Sequence, residues 1–79
     1  MNITGYKRKD TEIEGLMEME SVAIAASPKI IRALAKFLND AADEMDELGN
    51  DYDHLHLMDE WDNWKEGLPD IQVVSEKYM

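Results

Sequence analysis

The sequence predicts an α+β domain in which four antiparallel strands form one sheet and a single amphipathic helix packs on one face of that sheet. Apolar residues recur at helical spacing in one stretch and alternate as in strands in four others. The helix is predicted at about residues 28–48, and the strands at about residues 2–7, 16–25, 51–58 and 70–74. The order β-β-α-β-β is satisfied most simply by one sheet with one helix on it. The 79 residues predict one small domain, residues 1–79.

The helix has the clearest signals of any element. Ser27 and Pro28 are typical of a helix start, because a serine hydroxyl can cap free backbone N–H groups and proline suits the first helical position. Gly49 supplies a stop, because glycine readily takes the left-handed conformation after the last helical turn. The apolar residues between these ends fall within a stripe about 120° wide, which predicts packing on one side. They are Ile30, Ile31, Leu34, Phe37, Leu38, Ala41, Met45 and Leu48.

The second predicted strand changes phase partway along its length. Met17 and Met19 lie at odd positions, whereas Val22 and Ile24 lie at even ones. Because side chains alternate between the two faces of a strand, one extra residue must be absorbed near Glu20 and Ser21. A β-bulge there would place all four apolar side chains on one face.

The last third of the chain predicts two further strands joined by a loop. In the third strand, His54 and His56 share one face, while Leu55 and Leu57 share the other. The loop before the fourth strand contains two tryptophans. Residues 75–79 are predicted to be a loose tail.

The whole formal charge of −10 arises in residues 39–66, because the charges of the rest of the chain cancel. This segment holds eleven carboxylates and one base, Lys65. The carboxylates belong to Asp40, Asp43, Glu44, Asp46, Glu47, Asp51, Asp53, Asp59, Glu60, Asp62 and Glu66. Five of them fall in the C-terminal half of the predicted helix, where the helix dipole favours cations. Negative charge concentrated where the helix dipole disfavours it indicates a surface that binds a basic partner. A solvated face that only promotes solubility is the alternative.

Composition excludes several classes of function. The acidic balance argues against direct binding to nucleic acid or to anionic lipid. No apolar run approaches the roughly 20 residues of a membrane span. The N-terminal residues lack the apolar segment of a secretory signal, and the absence of cysteine fits a reducing compartment, so we expect a cytoplasmic protein.

The sequence does not predict an enzyme. It contains no cysteine nucleophile, no Gly-x-Ser-x-Gly turn, no glycine-rich phosphate loop and no His-Glu-x-x-His helix. Carboxylates are abundant, but nothing in the sequence marks two of them as a buried pair with separated pKa values. We therefore expect neither catalytic residues nor a cofactor.

The His54-x-His56 pair carries the main alternative. Two imidazoles on one side of a strand, with Asp59 or Asp53 as a third ligand, are the donors that zinc or another first-row metal prefers. A small metal-binding or enzymatic domain centred on His54, His56 and Asp59 would follow. Such pairs also arise by chance on exposed strands, so a contact with water or with a partner is favoured over a metal. A third class is an oligomerisation or regulatory module, a homodimer for example, that pairs through a free sheet edge.

Two tryptophans, Trp61 and Trp64, lie within the acidic segment. At least one is expected to cover the small core. The alternative for the other is an exposed aromatic anchor surrounded by carboxylates, which is a common composition of interface hot spots. The predicted partner-binding residues are Asp40, Asp43, Glu47, Asp51, Asp53, His54, His56, Asp59, Glu60, Trp61, Asp62 and Trp64.

Several short motifs resemble those of bacterial polymorphic-toxin immunity proteins of immunity protein family 32. The motifs are Leu16-Met17-Glu18-Met19, Val22-Ala23-Ile24-Ala25-Ala26-Ser27-Pro28, Leu34-x-x-Phe37-Leu38-x-x-Ala41-Ala42-Asp43-Glu44, Asp53-His54-x-His56-Leu57-x-Asp59 and Pro69-Asp70-Ile71. The resemblance covers most of residues 2–74. It implies a protein that binds and silences a cognate toxin, often a nuclease, in the cytoplasm of the producing bacterium. It singles out His54, His56 and Asp59 without giving them a role. From charge alone, the acidic surface suits a basic toxin site in which carboxylates take phosphate positions.

Overall fold

The computed structural model of the chain describes residues 1–78 and has the predicted α+β class. Its elements, in chain order, are β1 (Asn2–Lys7), β2 (Met19–Ala25), α1 (Pro28–Leu48), β3 (His54–His56), α2 (Leu57–Glu60) and β4 (Gln72–Val74). Two 3₁₀ turns, Gly49–Asp51 and Glu76–Tyr78, complete the fold. The predicted loose tail 75–79 therefore contains a 3₁₀ turn, and its last residue, Met79, lies outside the described residues.

The prediction of a single four-stranded sheet was wrong. The described strands form two separate two-stranded antiparallel sheets, β1 with β2 and β3 with β4. The predicted third strand, 51–58, is reduced to His54–His56, because the chain turns into α2 at Leu57. The Leu57 N–H still donates to the Ile71 carbonyl, at 2.8 Å. Alternation of apolar residues predicts which face a side chain occupies, but it does not predict which strands pair.

The β1–β2 hairpin contains the predicted bulge. Tyr6 pairs with Ser21, and Lys7 pairs with Met19, so Glu20 is the extra residue. Because Ile24 and Val22 pair with alternate residues of β1, the bulge brings Met19 onto their face. The strand begins at Met19, later than the predicted residue 16, since the segment before it forms only a single bridge.

Helix α1 begins and ends through the signals read from the sequence. The Ser27 side chain accepts a hydrogen bond from the Ile30 N–H at 3.3 Å, and Pro28 takes the first helical position. Gly49 has a φ of 54°, and its N–H donates to the Met45 carbonyl. The result is a helix of 21 residues that crosses the molecule.

The core lies between α1 and the β3–β4 sheet. Leu34 and Phe37 of the helix meet Leu57 of α2, and Leu57 is 1% exposed. The partly buried residues packed around this cluster are Met1, Ile30, Leu55, Trp61, Trp64, Ile71 and Val73. Tyr52 is also buried, and its hydroxyl donates to the Val73 carbonyl at 2.7 Å, which fixes the chain entering β3 against β4. The helix therefore covers the β3–β4 sheet and leaves the hairpin outside the core.

Candidate functional site

A cleft of about 220 Å³ lies between α1 and α2. Its apolar lining comes from Ala33, Phe37, Leu55 and Trp61, and its charged lining comes from Lys36, Asp40 and Glu60. Three of the predicted partner-binding residues, Asp40, Glu60 and Trp61, thus line one cleft, although Asp40 precedes the other two by at least twenty residues in the chain. A cavity with an apolar floor and a few charged groups is the usual composition of a binding site.

The helix positions the α1 side of the cleft. Phe37 and Ala33 are four residues apart, as are Asp40 and Lys36, so each pair is stacked along one side of α1. The Lys36 ammonium contacts the Asp40 carboxylate at 2.7 Å, and this hydrogen bond raises the pKa of Lys36. Both side chains are more than half exposed, so the ion pair contributes little to stability and can be exchanged for another partner.

The other side of the cleft comes from α2 and the residue that ends it. Glu60 is exposed on the last turn of α2. Trp61 follows, and its backbone N–H donates to the Leu57 carbonyl at 2.9 Å, which fixes its position. On this side, the cleft is therefore lined by the Glu60 carboxylate next to the large aromatic ring of Trp61.

The carboxylates of α1 extend the acidic character away from the cleft. Asp40, Asp43 and Glu47 are separated by three and four residues, so they share one side of the helix, and all three are exposed. Asp51 is exposed in the 3₁₀ turn that follows. These residues form a continuous acidic edge along the C-terminal half of α1.

The two tryptophans have different surroundings. Both are partly buried against the core cluster. The Trp64 indole N–H donates to the Pro69 carbonyl at 3.0 Å, so this side chain is held within the structure. Trp61 lines the cleft instead. Asp59 and the nearby Asp62 are exposed beside them, on α2 and in the turn after it.

The histidine pair lies away from the cleft. Leu55 lines the cleft, and because neighbouring residues of a strand point to opposite faces, His54 and His56 lie on the other face of β3. Their rings meet edge to face, with centroids 4.9 Å apart. The structure therefore divides the predicted partner-binding residues between two faces of the small sheet.

Each histidine is paired with a carboxylate. His54 Nδ1 lies 2.6 Å from the Asp53 carboxylate, and His56 Nδ1 lies 2.6 Å from the Asp70 carboxylate. The hydrogen bonds from the Tyr78 hydroxyl and from His54 hold the pKa of Asp53 below its usual value. Within residues 1–78, no three histidine, aspartate or glutamate side chains are grouped so that they could hold a metal ion.

Asp70 is a site residue that the sequence did not single out. Its second oxygen accepts the Met58 N–H at 2.9 Å, so one carboxylate orients His56 and also caps the first turn of α2. Partial burial pushes the pKa of Asp70 upward, but the hydrogen bonds from His56 and from the Met58 N–H hold it below its usual value. The only sequence signal was its place in Pro69-Asp70-Ile71, since the contact depends on the pairing of His56 with Gln72.

Replacing this carboxylate is expected to destabilise the fold in a pH-dependent way. Asp70→Ala should lower the free energy of unfolding by about 1–3 kcal/mol at neutral pH, because it leaves the Met58 N–H and His56 without their charged partner. The folded-state pKa of Asp70 is lowered, so its contribution is present above the unfolded-state pKa and is lost as the pH falls through the folded-state value. Urea unfolding followed by tryptophan fluorescence measures the difference.

The difference between wild type and Asp70→Ala should therefore shrink below about pH 4. The exposed Asp62→Ala is the control, and it should change the free energy of unfolding by less than about 0.5 kcal/mol. A wild-type advantage that is the same in acid as at neutral pH would show that the ionised carboxylate is not the stabilising group.

No helix in residues 1–78 combines the length and the apolar character that crossing a lipid bilayer requires.

Comparison with known proteins supplies the family. No curated protein and no solved structure matches the chain. The sequence model of immunity protein 32 matches residues 21–77, which is most of the chain. The matched range includes α1, β3, α2 and β4. The chain belongs to the immunity protein 32 family.

Proposed function

We propose that the chain neutralises a basic cognate toxin by docking its acidic surface against the positively charged site of that toxin. The acidic surface is defined here as the cleft together with the exposed carboxylates beside it: Asp40, Asp43, Glu47, Asp59, Glu60 and Asp62. Membership of the immunity protein family supports a role as an inhibitor. The cleft, with its apolar floor and charged rim, is the observation that carries the proposal.

The cleft suits a long basic side chain of the toxin. The hydrocarbon stem of an arginine or lysine packs well on aromatic and aliphatic surface, and Trp61 and Phe37 supply it. The charged end would then reach Asp40 and Glu60 at the rim. Arginine fits best, because its planar guanidinium also stacks on aromatic rings and binds carboxylates through two hydrogen bonds. Breaking the Lys36–Asp40 ion pair costs little free energy, because the pair is exposed and weak.

The remaining carboxylates act over a longer range. The chain carries a net charge of −10, and residues 39–66, which include the carboxylates of this surface, account for all of it. Complementary charge raises association rates from about 10⁵–10⁶ M⁻¹s⁻¹ to as much as about 10⁸–10⁹ M⁻¹s⁻¹ at low salt. Binding should therefore be fast and should slow as salt is added. A toxin that acts on nucleic acid would present a basic site of this kind, with the carboxylates at the positions of phosphates.

The test uses the whole chain as bait in a lysate of its source cell. The wild type is compared with a cleft variant, Asp40→Lys with Glu60→Lys, and with a charge-matched control, Glu12→Lys with Glu20→Lys, in which both substitutions lie in the exposed N-terminal segment. Each double variant has a net charge of −6 instead of −10. Bound proteins are eluted at low and at high salt and identified by mass spectrometry.

The proposal predicts a basic protein that the wild type and the control retain at low salt, that high salt releases, and that the cleft variant fails to retain. Retention of the same protein by the cleft variant would place the toxin contact elsewhere on the chain. An acidic or neutral captured protein would overturn the charge argument.

A further inference from the structure

One face of the hairpin is apolar and uncovered. Ile3, Val22 and Ile24 lie on this face with Met19, and Lys7, which pairs with Met19, stands at its far end. The exposed fractions of Val22 and Ile24 are 54% and 46%, whereas Ile3 is partly buried. The hairpin makes no extended contact with α1 or with the β3–β4 sheet. A two-stranded hairpin is marginally stable in water unless a helix or further strands cover it. This face therefore requires a partner.

Helix α1 has a second apolar edge that is also uncovered. Ile31, Ala35, Leu38 and Ala42 follow one another at spacings of four, three and four residues, so they form one line along the helix. All four are exposed, with Ile31 at 42% and Leu38 at 52%. The apolar stripe predicted from the sequence is therefore covered along only one of its edges, the one that contacts the β3–β4 sheet. Hydrophobic residues in this line resemble the seam of a helix that packs against another element.

The surface area of the chain is large for its mass. A compact folded chain of 9.1 kDa exposes about 4,900 Å², whereas this chain exposes 6451 Å². The radius of gyration, 13.8 Å, also exceeds the value of about 12 Å that is expected for 79 residues. The excess area is larger than the roughly 800 Å² that each partner contributes to a standard protein interface. One chain thus has enough uncovered surface for a stable dimer.

We infer that two copies of the chain form a symmetric dimer in which the hairpin of each copy covers the free edge of α1 in the other. The two uncovered faces have matching character, since one is a flat apolar strand pair and the other is a line of aliphatic residues on a helix. Within one chain the two faces share no extended contact. A two-fold axis covers both faces in both copies, because the hairpin of each copy then contacts the helix of the other. Each copy then has the sheet-on-helix layers of an ordinary α+β core.

The dimer leaves the cleft open. Asp40 follows Ile31 by nine residues, and at about 100° per residue the two lie on opposite sides of α1. Lys36 lies on the Asp40 side, with the cleft. The dimer contact and the acidic surface are therefore on different sides of the helix, and the inference does not depend on the proposed function.

Sedimentation equilibrium and light scattering on the full chain test the dimer. The wild type should have twice the mass of 9.1 kDa. Val22→Lys on the hairpin and Leu38→Glu on the helix should each give a monomer, with an unchanged far-ultraviolet circular dichroism spectrum of α1, because both side chains are exposed within one chain. Met58→Lys is the matched control: Met58 is 44% exposed but lies on α2, so this variant should stay dimeric.

Mixing the two monomeric variants tests the geometry. In a dimer of Val22→Lys with Leu38→Glu, one hairpin-to-helix contact is native, and the other joins a lysine to a glutamate. The mixture should therefore recover the dimer mass, whereas a mixture of Val22→Lys with Leu38→Lys should recover much less. A wild type that stays monomeric as its concentration is raised would overturn the inference. A hairpin that pairs with a hairpin would also overturn it, and would show as a Leu38→Glu variant that stays dimeric while Val22→Lys is monomeric.

Discussion

Leu57→Ala is expected to lower the free energy of unfolding by about 2–5 kcal/mol, the range for a truncated core leucine. Leu57 is 1% exposed and joins Leu34 and Phe37 in the buried cluster, so its truncation removes buried apolar surface and leaves a cavity in the core. A domain of this size has a total stability of about 4–12 kcal/mol. The variant should therefore be largely unfolded in mild urea, as measured by tryptophan fluorescence and circular dichroism.

Met58→Ala is the control for this prediction. It truncates the next residue in α2, but Met58 is 44% exposed and should cost less than about 1 kcal/mol. Equal losses in the two variants would show that α2, and not burial of Leu57 beneath α1, determines the effect. Leu57 does not line the cleft, so this test is independent of the binding site.

The cleft variant, Asp40→Lys with Glu60→Lys, is expected to weaken binding of the toxin at least about 100-fold, or about 2.7 kcal/mol. Both reversals place cations where the toxin would bring its own, and like charges across an interface cost several kcal/mol. The dissociation constant is measured by titration calorimetry with the protein captured from the lysate. Unfolding in urea checks that the variant is folded, which is expected because both side chains are exposed.

The charge-matched control, Glu12→Lys with Glu20→Lys, distinguishes a local contact from a general field. It changes the net charge by the same amount but lies outside the acidic surface, so it should weaken binding by less than about tenfold, mainly through a slower association rate. Equal losses in the two double variants would mean that only the net charge matters and that the cleft has no special role.

The elements that the sequence predicted well are those with local signals. The Ser27-Pro28 start and the Gly49 stop define α1 without reference to any other part of the chain. The bulge near Glu20 was also predictable, since the change of parity within β2 is local. Pairing of the strands was not, because it depends on contacts between distant residues. The separation of the hairpin from the β3–β4 sheet therefore has no counterpart in the alternation pattern.

The same distinction applies to the site. Concentration of carboxylates in residues 39–66 is visible in the sequence, but the meeting of Asp40 and Glu60 at one cleft depends on how α2 folds back toward α1. His54 and His56 were correctly placed on one face of a strand. Their separation from the cleft follows from Leu55, which lies between them and points to the other face. The role of Asp70 depends on the register of β3 with β4, which only the structure supplies.

The most direct test of the account is the survival of cells that express the captured toxin together with one form of this chain. Wild type and the charge-matched control should restore growth, and the cleft variant should not, at equal levels of folded protein. This result would place neutralisation at the cleft between α1 and α2. Full protection by the cleft variant would contradict the central claim, because the chain would then silence its toxin through a different surface.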